Sequence, residues 1–191
     1  MHKSVLLEEC LTYLNLKEDS IVVDCTLGYG GHSSEILKRI PKGFLYAFDQ
    51  DIDAIRSSEK RLREIGDNFE IIQSNFQYLK SALAKRNITK VDAILFDLGV
   101  SSPQLDEKDR GFSFHQDAPL DMRMDRSQSL TAKEVVNTYS YQDLVRIFKE
   151  YGEEKFATSI ARAIERQRKE APLETTLELA ELIKSAVPEK Y

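Results

Sequence analysis

The chain has 191 residues, room for one domain and part of a second, and 41% of them are hydrophobic against 31% charged, which excludes a disordered chain. A net charge of −5 excludes bulk electrostatic attraction to nucleic acid, so any contact with phosphates needs a local cationic patch. No stretch approaches the roughly 20 apolar residues of a membrane span, and the acids in MHKSVLLEECLTYL interrupt what a signal peptide would keep apolar.

In chain order, Val5 to Leu14 carry apolar residues at helical spacing. IVVDCT (21–26) is a β-branched strand running into Gly28, Gly30 and Gly31. A helix is expected from Ser33 to Ile40, stopped by Pro41 and Gly43. FLYAFD (44–49) is a second strand, Ile52 to Ile65 a charged amphipathic helix, FEIIQS (69–74) a third strand, Tyr78 to Lys85 a helix and VDAILFDLG (91–99) a fourth strand. Continuous apolar strands alternating with helices imply a parallel sheet covered on both faces, hence a doubly wound α/β fold. Residues 99–130 show no steady period. Beyond them Thr131 with Glu134, Ser140 with Asp143, and Thr175 with Glu178 read as capping-box helix starts, and Gly152 as a helix stop. The expected organisation is an α/β core over 1–104, followed by a motif-rich loop and helical domain over 105–191. Four strands make only part of a doubly wound sheet.

The segment Asp24 to Ser33 lies between a strand and a helix, where glycines permit a tight turn and close approach of a ligand. It is not GxGxxG, because Ser33 occupies the third glycine position; adenosine without a pyrophosphate fits better than a dinucleotide. Asp49 follows Gly30 by 19 residues at the end of a strand, the offset at which an acid meets ribose hydroxyls, and Asp51 reads as a helix cap. Phe76 could lie against an adenine or pack in the core. Asp97, directly after AILF, reads as an acid at the carboxyl edge of the sheet that needs a cationic or amine partner. In residues 98–125, Ser101, Ser102 and Gln104 offer neutral hydrogen bonds. Arg110, Arg123 and Arg126 there suit phosphate or carboxylate, and Phe112, Phe114 and His115 suit base stacking. The alternative is a self-anchored loop with Arg–Asp pairs on its surface.

His32 reads as a hydrogen-bonding group at the turn and Cys25 as a core residue. The isolated Cys10 and Cys25 exclude a disulfide framework and fit a reducing cytoplasm, and the three histidines have no metal-ligand spacing. Arg162, Arg166 and Lys169 share one helical face, either a solvated face paired with Glu165 and Glu170 or a phosphate-tracking surface.

Together these motifs resemble the bacterial S-adenosylmethionine-dependent methyltransferases that modify the exocyclic amine (N4) of a cytosine in small-subunit ribosomal RNA. The resemblance rests on His2 to Glu9, Asp24 to Ser33, Asp49 to Asp51, Phe96 to Asp106, Arg110 to Phe114, Pro119 to Asp125 and Tyr151 to Phe156. It implies a class I, Rossmann-like methyltransferase sheet with a helical insertion. It further implies S-adenosylmethionine contacts at Gly30, Gly31, His32, Asp49, Phe76, Asp97 and Gln104. Asp97, or the carbonyls just after it, would orient the cytosine amine, and the 110–125 loop would cover the unstacked base. The implied partner is small-subunit ribosomal RNA or the assembled subunit, in the cytoplasm. Relatives continue past residue 191 into further strands, so a C-terminally truncated form is expected. The alternatives are a non-catalytic S-adenosylmethionine- or RNA-binding remnant, an amino-methyltransferase with another substrate, and a short version that self-associates as a homodimer.

Overall fold

The structure, a computed structural model, describes residues 4–189. His2 and Lys3 of the opening motif, and Tyr191, lie outside the described residues. The chain divides into two compact units, residues 1–99 and 100–191.

The first unit is built on four parallel strands, β1 (Ile21–Asp24), β2 (Phe44–Asp49), β3 (Phe69–Gln73) and β4 (Ala93–Leu95), in the order β3-β2-β1-β4. The chain steps outward from β1 to β3, then returns to the other side of β1. The carboxyl ends of β1 and β4 therefore flank a topological switch point, where open α/β sheets bind ligands. Helices α1 (Leu7–Leu14), α2 (Gly31–Arg39) and α3 (Ile52–Arg63) cover one face, burying Leu11, Ile36, Leu37, Ile55 and Leu62 against Val22, Leu45 and Leu95. On the other face α4 (Leu79–Ala84) packs Ala82 and Leu83 onto Val23, Tyr46, Phe48 and Ile72. That cover stops short of β4, whose Ile94 is exposed, as is Phe96 just beyond the strand. Among the described residues no strand pairs with the outer edge of β4.

The parallel α/β architecture expected from the alternating pattern is present, with shorter elements. β4 spans three residues of the nine-residue run, because only β1 offers it a ladder. α1 begins at Leu7 rather than Val5, since Leu6 takes a left-handed conformation (φ 48°) and leaves Val5 outside the helix. Asp51 caps α3, its carboxylate accepting from Asp53 N at 3.0 Å.

The second unit holds a short α5 (Ser102–Asp106), then α6 (Ala132–Thr138), α7 (Tyr141–Glu150), α8 (Ala157–Glu170) and α9 (Thr176–Ala186). Its core joins Leu120, Val136, Leu144, Ile160, Ala161, Ile164 and Leu173. Thr131, Ser140 and Thr175 each cap a helix by accepting the N–H three residues on, and Thr175 with Glu178 completes a reciprocal box. α7 stops differently from the expectation. The left-handed residue is Glu153 (φ 51°), whereas Gly152 serves close packing: a Cβ there would lie 2.9 Å from the Phe148 carbonyl oxygen.

Candidate cofactor site

The site grows from Asp24, the last residue of β1. Its carboxylate is buried and bonded at both oxygens: Oδ1 accepts from Thr26 N (3.0 Å) and Oδ2 from Ser33 Oγ (2.6 Å). One side chain thus clamps the turn at its start and at the first turn of α2. Ser33, the departure from the dinucleotide pattern, is the hydroxyl that satisfies this acid. Burial pushes the Asp24 carboxyl above its ordinary value, against the lowering pull of the Ser33 and Thr26 bonds and of nearby His32.

Within the turn Gly28 and Gly30 take φ of +50° and +76°, a region that glycine enters without strain. Their surroundings differ. A Cβ on Gly30 would stand 3.1 Å from Ser58 Cβ of α3, and one on Gly31 would fall 1.9 Å from Ser4 Oγ, so both glycines admit neighbouring protein. At Gly28 the nearest atom is 3.9 Å away, so space remains beside that residue. The sequence pointed to Gly30 and Gly31 as ligand-approach residues; the structure gives each a packing reason and leaves the open side at Gly28.

Asp49 ends β2 beside this turn, with Oδ2 accepting from Gly28 N (2.7 Å) and Oδ1 from Asp51 N (2.9 Å). Each oxygen keeps a further lone pair, and the residue is only partly buried. Burial raises its carboxyl, with the Asp51 and Gly28 N–H bonds pulling the other way. Asp97 lies two residues past β4. Its N–H donates to Thr26 Oγ1 (2.8 Å) and its Oδ2 stands 3.6 Å from His32 Nδ1. The side chain is 45% exposed, which corrects the reading of Asp97 as a buried acid demanding a partner: water already solvates it. His32 is buried, and its Nε2 lies 3.0 Å from Val5 O. Phe76 follows β3 at the same edge. It packs partly into the core, as the core-packing alternative expects, and meets Phe96 edge-on at 5.5 Å and 86°.

The first unit therefore brings Gly30, Gly31, His32, Asp49, Phe76 and Asp97 to the carboxyl edge of one sheet. Gln104 belongs to the second unit, where its Oε1 accepts from Ser101 N (3.0 Å) in the capping box of α5. Sequence reasoning missed Asp24 and Thr26 as the residues holding the turn and Asp97. The signal was present, since an acid ending a strand just before a glycine turn must find buried donors.

A group seated here meets two accessible carboxyl groups, Asp49 and Asp97, with Asp24 buried behind them. Arg61 reaches only the outer side of the turn, at 3.5 Å from Tyr29 O. Such a donor set fits hydroxyls and a cation and disfavours a pyrophosphate. Ribose hydroxyls and a sulfonium meet that requirement. Among the described residues no three His, Cys, Asp or Glu side chains converge as metal ligands, and no helix is long and apolar enough to cross a membrane.

In the second unit two of the loop arginines, Arg110 and Arg123, are turned inward, whereas Arg126 is exposed. Arg110 is buried and donates to the carbonyls of Arg123 (3.1 Å) and Met124 (3.3 Å). Arg123 forks onto Asp121 (2.9 and 2.7 Å) and bonds the carbonyls of Arg126 and Gln128. Phe114 and His115 remain exposed, ring beside ring at 5.2 Å. On α8 the exposed Arg162, Arg166 and Lys169 make no ion pair among the described residues, so the expected pairs with Glu165 and Glu170 do not form. Arg168 points inward instead, onto the carbonyls of Val136 (3.1 Å) and Tyr139 (2.7 Å).

Residues 1–191 match the MraW methylase family. The ribosomal RNA small subunit methyltransferase H of Exiguobacterium sibiricum is 58% identical over 187 residues, 98% of this chain; the chain spans 60% of that relative's length. Among solved structures, an rRNA methylase from Streptococcus thermophilus is 26% identical at a TM-score of 0.42, over 52% of this chain and 57% of that one. NSun6 from Pyrococcus horikoshii, solved with SFG, is 24% identical at a TM-score of 0.43, over 51% of this chain and 24% of that one.

Proposed function

We propose that this chain, which belongs to the MraW methylase family, is the cofactor-binding part of an S-adenosylmethionine-dependent methyltransferase acting on the N4 amine of a cytosine in small-subunit ribosomal RNA. The observation that supports this reading is the carboxyl-lined edge at the switch point, with Asp49 at the end of β2 beside the glycine turn and Asp97 beyond the next-but-one strand in space. The name of the 58% identical relative supports the RNA substrate. S-adenosylmethionine, when bound, supplies an electrophilic methyl group on a sulfonium.

The chain's own residues do the rest. Asp49 accepts the ribose hydroxyls, and Gly28 leaves room for the nucleoside. A cytosine amine is a poor nucleophile because its lone pair is conjugated with the ring, so it must be oriented and its N–H accepted. Asp97, solvent-accessible and fixed through its own N–H by Thr26, offers that acceptor, as do the carbonyls that follow it. The base must be presented unstacked. The α8 cations suit the RNA backbone: Arg162 and Arg166 are separated by about 6 Å of helix rise, and Arg166 and Lys169 by about 4.5 Å.

Transfer of labelled methyl from S-adenosylmethionine tests the reading. Incorporation into small ribosomal subunits but not duplex DNA supports it; incorporation into DNA alone overturns it. Replacing Arg162, Arg166 and Lys169 by Gln should make the salt dependence of RNA binding shallower by about 2 in log–log slope. A second reading, a chain that binds cofactor or RNA without turnover, is favoured by the outer edge of β4, with which no strand pairs among the described residues. Cofactor binding without methyl transfer distinguishes it.

A further inference from the structure

The residues just ahead of α1 are fastened to the glycine turn at two points. Ser4 Oγ occupies the volume that a side chain on Gly31 would fill, its distance to an ideal Cβ being 1.9 Å. One residue on, the Val5 carbonyl faces His32 Nε2 at 3.0 Å. A carbonyl oxygen only accepts, so Nε2 carries the proton and donates. The ring is buried, and its other nitrogen is 3.6 Å from Asp97 Oδ2, too far for a direct hydrogen bond yet close enough for charge and dipole to act. Val5 and Leu6 are exposed, so burial of their own side chains does not hold this segment down.

We infer that His32 is a positioning residue that latches the Ser4–Leu6 segment onto the cofactor turn, so that ordering of this segment and binding of S-adenosylmethionine are coupled. The inference rests on the cofactor reading given above. Coupling is reciprocal: if cofactor binding fixes the turn and tightens the latch, then loosening the latch weakens cofactor binding by the same factor.

The two ring nitrogens can be tested separately. In His32→Gln the amide nitrogen reaches the Nε2 position and keeps the bond to Val5; in His32→Asn it reaches only the Nδ1 position, beside Asp97. Hydrogen exchange of the Cys10 amide, which donates to the Leu6 carbonyl, and of the α1 amides after it, and calorimetric titration with S-adenosylmethionine are measured on the whole chain, after circular dichroism shows each variant folded. His32→Asn is expected to raise exchange in the ligand-free protein and weaken cofactor binding about tenfold, the loss of one buried hydrogen bond. His32→Gln is expected to retain protection and stay within about threefold of wild type in affinity. Gly31→Ala should also release the segment, and adding Ser4→Gly should restore it by removing the colliding side chain.

Equal behaviour of the Gln and Asn variants, or no rescue by Ser4→Gly, would overturn the latch. A wild-type chain that does not bind S-adenosylmethionine overturns the functional reading and the coupling with it, while exchange in the ligand-free variants still decides whether His32 holds the segment.

Discussion

Residues 24–33 and residues 107–130 are both loops dense in charged and hydroxylated side chains, yet their polar groups are deployed in opposite senses. In the first, Asp24 is consumed internally by Thr26 and Ser33, and that clamp leaves Asp49 and Asp97 presenting free lone pairs at the sheet edge. In the second, two arginines turn back on the loop itself: Arg110 on the carbonyls of residues 123 and 124, Arg123 on Asp121 and the carbonyls of residues 126 and 128. One buried acid with short partners can hold a turn while its neighbours stay available. A loop without regular structure has many more orphan carbonyls, and arginine, with five donors, is suited to collect them.

The sharpest way to break this contrast is to remove the collector. Arg110→Ala should destabilise the second unit by about 3 kcal/mol, because two carbonyls lose a charged donor in a buried site. Phe114→Ala, at an exposed ring, should change stability by less than about 0.5 kcal/mol. Chemical denaturation measures both; comparable losses would show that the loop is not organised by its arginine.

Ser33→Gly restores the glycine pattern of dinucleotide sites and should cost about 1–2 kcal/mol, since Oδ2 of Asp24 then loses its buried donor. No affinity for a nicotinamide dinucleotide should appear, because the carboxyl groups of Asp49 and Asp97 at the edge remain.

Asp24→Asn tests the clamp through pH. A carboxyl raised by folding binds its proton more tightly in the folded chain, so stability is highest below the ordinary carboxylate range and falls as pH rises through the raised value. The lowered carboxyls, such as Glu70 beside Arg86 and Asp121 beside Arg123, act in the opposite sense. The expected signature is therefore a difference: relative to wild type, Asp24→Asn gains stability as pH rises from below the ordinary carboxylate range to neutrality. The smallest effect concerns thiols. Burial, with the Asp24 charge second, pushes Cys25 up to about 12, so a thiol reagent at pH 8 should label Cys10 first and leave Cys25 until the chain unfolds.

The same two loops mark how far the sequence could be read. The strand at 44–49, the cap at Asp51 and the box at Thr175 with Glu178 are local patterns, and the structure reproduces them. Asp49 was legible because its distance from the glycines is set by one strand–turn–helix–strand unit. What escaped were effects of partners remote in sequence. β4 is short because only one neighbour pairs with it, Asp97 is exposed because the sheet cover stops before that edge, and Gly31 is needed because Ser4 arrives from 27 residues upstream. For Arg110 and Arg123 composition is silent, since a ligand-facing arginine and a backbone-collecting one look alike until burial is known.

The most direct test is calorimetric titration of the 191-residue chain with S-adenosylmethionine, wild type beside Asp49→Ala. The expected result is a one-site isotherm for the wild type, weakened by at least about 30-fold when the carboxylate is lost. A folded wild-type chain that gives no binding, or an Asp49→Ala chain that binds equally well, would contradict the assignment of the sheet edge as the cofactor site.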